Sequence, residues 1–207
     1  GRLSTLSFHE TKNFNCGEGG ALVLNDVSLL PRAEIVREKG TNRSRFFRGQ
    51  VDKYTWVDLG SSFLPSDLLA AYLFAQLEAR EAVIAKRRAI FEFYAGALGA
   101  WAGEHGVRLP VVPPECEPSF HMFYLLLPSL RVRHALIEHL RAAGILAVFH
   151  YQPLHLSPMG MKFGGKKGDC PVTEDVSDRL LRLPYYNDLS AEELERVASA
   201  LTSFDSW

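Results

Sequence analysis

Cysteine is scarce in this chain, and that scarcity narrows the field at once. Its 207 residues hold three cysteines, Cys16, Cys116 and Cys170, far apart and odd in number. They fit reduced thiols in a cytoplasmic protein better than a disulfide framework or a zinc site. No apolar run approaches the ~20 residues that span a bilayer, so no membrane span is expected. No secretory leader is expected either, since the chain opens on Gly1-Arg2-Leu3-Ser4 rather than on a charged and then apolar stretch. Charge of one sign is lacking too. The formal net charge is -1, without the basic excess of a nucleic-acid binder. The seven histidines are irregularly spaced, with no carboxylate or cysteine at ligand distance in sequence, so no metal site is expected.

What is present suits a packed α/β protein. With 47% hydrophobic and 23% charged residues, the chain can bury a sizeable core. Residues 3–8 and 20–25 read as strands around the glycine-rich link Cys16-Gly17-Glu18-Gly19-Gly20. Pro31–Lys39 reads as a short helix, with proline in its first turn and Gly40 beyond its end. The stretch from Gly40 to Ser62 reads as a long irregular loop. From Ser66 or Asp67, the recurrence of Leu69, Leu73, Leu77, Ile84, Phe91 and Leu98 predicts one long helix of about ten turns, reaching residue 102. Residues 103–207 read as a small α/β domain. Strands are expected at Val107–Leu109, Phe120–Leu127 and Ile145–His150, and helices at Val132–Ala143 and Ser190–Ser203. The last of these should start from a Ser190/Glu193 capping box. Gly160–Cys170 reads as a mobile loop.

Two segments carry chemistry. Lys12 follows a strand, beside His9, Thr11 and Asn13 and just before a glycine-rich turn. A lysine packed against tight backbone loses hydration, which favours the neutral amine that Schiff-base formation needs. From composition alone, a solvated lysine at a strand end is the commoner outcome. Between Pro31 and Lys53, seven cationic side chains stand against three acids. A loop with that surplus suits a diphosphate-bearing ligand, because guanidinium groups chelate phosphate oxygens.

The words around Lys12 carry a stronger signal. Ser7-Phe8-His9-Glu10-Thr11-Lys12-Asn13 followed by Cys16-Gly17-Glu18-Gly19-Gly20-Ala21 closely resembles the lysine segment of the nucleotide-sugar aminotransferases of the DegT/DnrJ/StrS family. Further matching words follow in order: Arg37-Glu38-Lys39-Gly40-Thr41-Asn42-Arg43-Ser44, Phe47-Arg48-Gly49-Gln50-Val51-Asp52-Lys53-Tyr54, His150-Tyr151-Gln152-Pro153-Leu154-His155 and Leu183-Pro184-Tyr185-Tyr186. The resemblance covers essentially the whole chain.

The resemblance implies the C-terminal part of a fold-type I transferase dependent on pyridoxal 5'-phosphate (PLP). Residues 1–65 would end the large cofactor domain, 66–102 would form a linking helix and 103–207 the small domain. Lys12 would be the Schiff-base lysine and proton shuttle. Ser7 would hold the cofactor phosphate, with His9 in support and Ser62 standing where many members carry an asparagine that reaches the partner's cofactor. Arg43, Tyr151 and His155 are the implied substrate contacts. The implied reaction moves an amino group from glutamate to C4 of dTDP-4-dehydro-6-deoxyglucose, in a homodimer serving cell-surface polysaccharide synthesis. In such enzymes the carboxylate for the pyridinium nitrogen, the ring-stacking aromatic and the phosphate-binding helix precede the lysine, and here eleven residues do. The expectation is therefore a fragment that transaminates negligibly alone. The alternatives are a non-catalytic dimerisation or interaction module, and a sugar dehydratase on the same scaffold. The dehydratase relatives usually carry histidine at the position of Lys12.

Overall fold

Leu3–Ser7 (β1) and Gly20–Leu24 (β2) form an antiparallel hairpin, in a register running from Leu3↔Leu24 to Ser7↔Gly20. In the computed structural model, which describes residues 1–207, this hairpin begins the first of two units, Gly1–Glu81 and Ala82–Trp207. Leu30–Arg37 (α1) follows, with Pro31 in its first turn, where a missing N–H costs nothing. It ends two residues short of the expected Lys39. Glu38 leaves the helix to pair its backbone with Ser62, and Lys39 takes a left-handed φ of 62°. Gly40, at φ 75°, turns the chain so that its carbonyl accepts from the N–H groups of Val57 and Asp58, at 2.8 and 3.0 Å. A Cβ on Gly40 would collide with the Asp58 carbonyl, so only glycine fits. The supposedly irregular loop contains a short helix, Arg43–Phe47 (α2).

The long helix is in fact two. Asp67–Glu78 (α3), capped by the Ser66 hydroxyl, stops at Ala79, whose ψ of 7° leaves the helical range, and Arg80–Glu104 (α4) follows. Neither glycine nor proline marks this break. Hydrophobic periodicity continues across it, which is why the sequence reads as one rod.

The second unit holds nearly all of the core. Of the buried apolar residues, Cys16 alone lies in the first unit. Ile90, Tyr94, Leu98, Trp101 and Ala102 form the buried stripe of α4, at the spacing of one helix face. They meet Leu125 and Leu181 from a three-stranded antiparallel sheet made of Tyr124–Leu126 (β3), Val148–Phe149 (β4) and Leu180–Arg182 (β5). The order is β3-β5-β4, with Tyr124↔Arg182 and Val148↔Arg182 in register. Leu130–Ala142 (α5) and Ala191–Thr202 (α8) complete the layer with Val132, Leu136, Leu140, Leu194, Val197 and Leu201. Burying each such side chain contributes roughly 1.5–3 kcal/mol, so this unit carries most of the chain's hydrophobic stabilisation. The capping box is formed as expected, with Ser190 Oγ accepting from Glu193 N and Glu193 Oε2 from Ser190 N.

The expected strands at 107–109, 120–127 and 145–150 shrink to a bridge between Arg108 and Leu126, to β3 and to β4. The central strand β5 and the helices Pro158–Lys162 (α6) and Pro171–Arg179 (α7) are not apparent in the sequence. Gly160–Cys170 is pinned rather than loose, because Gly165 N donates to Gly160 O (3.0 Å), Lys166 N to Asp169 Oδ2 (3.0 Å) and Gly168 N to Glu174 Oε1 (2.7 Å). No helix is long and apolar enough to cross a membrane.

Candidate functional site

The β1–β2 ladder does not stop at Ser7. Phe8 N donates to Gly19 O and Glu10 N to Gly17 O, both at 2.8 Å, while Cys16 N returns to Phe8 O at 2.9 Å. Gly17, at φ 82°, supplies the left-handed step that brings the chain back. Buried Cys16 fills the inside of this closure. Lys12 lies at the tip, its N–H donated to His9 O at 2.9 Å and its side chain exposed. Its amine joins none of the ion pairs: Glu18, the nearby acid, faces His9 Nε2 at 3.6 Å instead. Thr11 N donates to His9 Nδ1 at 3.2 Å, which makes Nδ1 an acceptor and leaves the ring proton on Nε2, toward Glu18. Ser7 Oγ accepts from His9 N at 3.4 Å, so its own proton stays free to donate. One hairpin end thus presents Ser7, His9 and Lys12.

Arg43 and Ser62 come together through Glu38. That carboxylate is buried and receives Arg43 Nη1 at 3.0 Å and Ser44 Oγ at 3.4 Å, while its backbone pairs with Ser62. The Arg43 guanidinium also lies over Phe47, at 5.0 Å from the ring centroid. The basic surplus of this stretch is smaller in the fold than in the sequence. Arg48 grips Glu34 with two bonds of 2.7 Å and holds that carboxyl below its usual range, and Arg32 pairs with Asp58.

The remaining two expected residues lie in the second unit. His155 Nε2 sits 2.9 Å from Glu174 Oε1, with both side chains only 15% exposed. The bond from His155, and after it the N–H of Gly168, holds the Glu174 carboxyl below its usual range. His155 therefore clips the segment ahead of α6 to α7. Tyr151, by contrast, is 71% exposed. Its ring lies 5.4 Å from that of His150 and 5.7 Å from the Arg182 guanidinium. Burial, and then the charge of Arg182, push the His150 imidazole toward its neutral form.

Arg182 and Glu174 escape a reading of the sequence. Arg182 leaves a trace, a charge inside the apolar run Leu180-Leu181-Arg182-Leu183. Glu174 leaves none, since its partner lies nineteen residues away.

A phosphorylated aldehyde needs an unpaired amine to attach to and donors for its phosphate. The Lys12 amine and the Ser7 hydroxyl form such a donor set, so the hairpin end fits PLP. Comparison with known proteins agrees with this chemistry. The chain is 30% identical over 201 residues to dTDP-3-amino-3,4,6-trideoxy-alpha-D-glucose transaminase of Streptomyces venezuelae, covering 96% of this chain and 49% of that protein. It is 29% identical over 205 residues to dTDP-4-dehydro-2,3,6-trideoxy-D-glucose 4-aminotransferase of Saccharopolyspora spinosa, covering 96% and 51%. The structure of S. venezuelae DesV in complex with a ketimine intermediate superposes with a TM-score of 0.85 at 29% identity, covering all of this chain and 53% of that one. The chain thus spans about half the length of the relatives it matches. Residues 1–202 match the family as a whole, and the chain belongs to the DegT/DnrJ/EryC1/StrS aminotransferase family.

Proposed function

We propose that this chain is the lysine-bearing part of a PLP-dependent aminotransferase that moves an amino group from glutamate to C4 of dTDP-4-dehydro-6-deoxyglucose. The observation that carries the reading is the Lys12 tip, an unpaired amine on a hairpin end beside Ser7 and His9, within a chain matching the family throughout. When bound, PLP supplies the electron sink for moving a proton between the two carbons that exchange the amine. Lys12 Nζ would carry the covalent attachment and then move that proton. Ser7 Oγ would hold the phosphate, His9 would brace the turn and Ser62 would donate to the phosphate held by a partner subunit. Arg43, fixed by Glu38, and exposed Tyr151 would hold the sugar nucleotide, with His155 shaping the segment beside it. The finer choice of C4 comes from the resemblance of sequence words, since the S. venezuelae relative is named for an amine at C3.

In this reading residues 1–65 end the cofactor domain, 66–102 link and 103–207 form the small domain of a cytoplasmic homodimer. In this reading the 207 residues alone transaminate negligibly, because the exposed Lys12 amine has no buried wall to desolvate it. Incubation with PLP, borohydride reduction and peptide mapping tests the assignment. A label confined to Lys12 is expected, and a label spread over surface lysines, or none, would sink it. A second reading, a non-catalytic dimerisation module, is favoured by α3, whose Leu68, Tyr72 and Phe74 are all more than half exposed. It predicts self-association with no label at Lys12.

A further inference from the structure

A tightly folded tip on the second unit carries its apolar side chains outward. The single turn Leu154–Leu156 and α6 are pressed together at two glycines. A Cβ on Gly160 would collide with Leu154 O, and one on Gly165 with His155 O. Met161 N donates to Ser157 O at 2.9 Å, Gly164 N to Met161 O at 3.0 Å, and Gly160 N to Ser157 Oγ at 3.0 Å. The His155–Glu174 pair clips the tip to α7. Yet Leu154 and Phe163 are each 82% exposed, and Met159 and Met161 are both more than half exposed. Single exposed apolar residues are ordinary on a protein surface, but four within ten residues of one braced tip form a patch. Charge on the tip is one-sided. Between residues 154 and 169, Lys162, Lys166 and Lys167 stand against one acid, Asp169. The lysines are exposed and join no ion pair. Asp169 Oδ2 accepts from Lys166 N, Glu174 faces inward, and Asp175 pairs with Arg179.

A bilayer surface with acidic headgroups supplies both things the tip lacks, apolar cover and negative charge. We propose that the tip formed by residues 154–167 docks on an anionic lipid surface, with Leu154, Met159, Met161 and Phe163 entering the headgroup boundary and Lys162, Lys166 and Lys167 at the lipid phosphates. Binding of this kind grows with the apolar area buried and with the attraction of cations to acidic lipid. The docking is peripheral, as no helix is long and apolar enough to cross a membrane. A second copy of the chain is the weaker occupant, since two tips in contact would bring the same lysines face to face. An acidic peptide would meet the lysines and leave the four apolar side chains in water. The proposal rests neither on Lys12 nor on the choice of substrate.

Flotation of the full 207-residue chain with lipid vesicles tests this. The chain should bind vesicles of equal parts phosphatidylglycerol and phosphatidylcholine, and bind pure phosphatidylcholine far more weakly. Each lysine near an acidic leaflet should contribute about fivefold, so Lys162→Gln/Lys166→Gln/Lys167→Gln should weaken binding roughly a hundredfold. Leu154→Ser and Phe163→Ser should each weaken it roughly tenfold. All of these are surface changes, and unchanged circular dichroism shows the fold intact. Leu68→Ser/Phe74→Ser, on the exposed face of α3, separates the tip from general adhesion and should leave binding as it was. Phe163→Trp gives a direct readout, since brominated lipid should quench its emission beyond the quenching seen in the natural chain. No binding to the acidic vesicles, equal binding to phosphatidylcholine, or binding lost in the α3 variant and kept in the tip variants would overturn the proposal. So would self-association that the tip variants abolish, or polyglutamate bound as tightly as the vesicles, each of which points to a different occupant. Borohydride labelling of Lys12 reports separately, so the cofactor reading and this one fail independently.

Discussion

Replacing Arg87 by methionine tests how the second unit is held together. Arg87 is a buried cation on α4 whose partners are all neutral. Its Nε donates to Phe120 O at 2.8 Å, Nη1 to Asn187 Oδ1 at 3.1 Å and Nη2 to His121 O. The guanidinium also lies 4.9 Å from the Tyr185 ring centroid, and Tyr185 donates its hydroxyl to the Arg87 carbonyl at 2.6 Å. It thereby ties α4 to two loops, one of which holds Phe120 at a left-handed φ of 47°, a strained conformation for a side-chain-bearing residue. Arg87→Met keeps most of the packed stem but leaves three acceptors without a donor. At about 1 kcal/mol net per bond, and more where the donor is charged, the loss should be about 3–4 kcal/mol. For a unit of this size that corresponds to a fall in Tm of roughly 10–20 °C. The loss should not vary between about pH 5 and about pH 9, because burial lowers the Arg87 pKa without bringing a guanidinium into that range. Urea unfolding followed by circular dichroism measures it against Lys86→Met, one residue along on the exposed face. A loss below about 1 kcal/mol, no larger than that of Lys86→Met, would refute the view that Arg87 is the clamp.

Glu174→Gln should loosen Gly160–Cys170. The Glu174 carboxyl is held below its ordinary value by His155 and then by Gly168 N–H, so its contribution is present above the unfolded carboxyl pKa of about 4.3 and is lost as pH falls through the lower folded value. Protection of the Gly165 and Gly168 amides, relative to their unstructured exchange rates at the same pH, should therefore fall at acid pH in the natural chain and stay low at every pH in the variant; identical protection in both would argue against the clip. The exposed apolar side chains of α3 should drive self-association. Light scattering of Leu68→Glu/Phe74→Glu should show a lower mass than the natural chain at equal concentration, and an unchanged mass would place the contact elsewhere.

Lys12 and its neighbourhood were legible from sequence because their cause is local. The serine, histidine, lysine and glycines lie within fourteen residues, and a hairpin end needs little else to bring them together. The same holds for Pro31, for Gly40 and for the Ser190/Glu193 capping box, each of which satisfies or turns backbone within its own neighbourhood. The break at Ala79 was hidden because the apolar spacing runs straight through it. Strand β5 was hidden because three residues give no period, and only pairing on both sides with β3 and β4 makes them a strand. Sequence alone thus determined the family, the hairpin end that carries Lys12 and the caps, all consequences of residues close along the chain. Tertiary structure decided which charges have partners. It gave Glu38 to Arg43, Glu174 to His155 and three backbone and amide acceptors to Arg87, and it left Arg182 Nε and His150 Nδ1 without a hydrogen-bond partner, because hydrogen bonding and desolvation depend on neighbours that are distant in sequence and adjacent only in the fold.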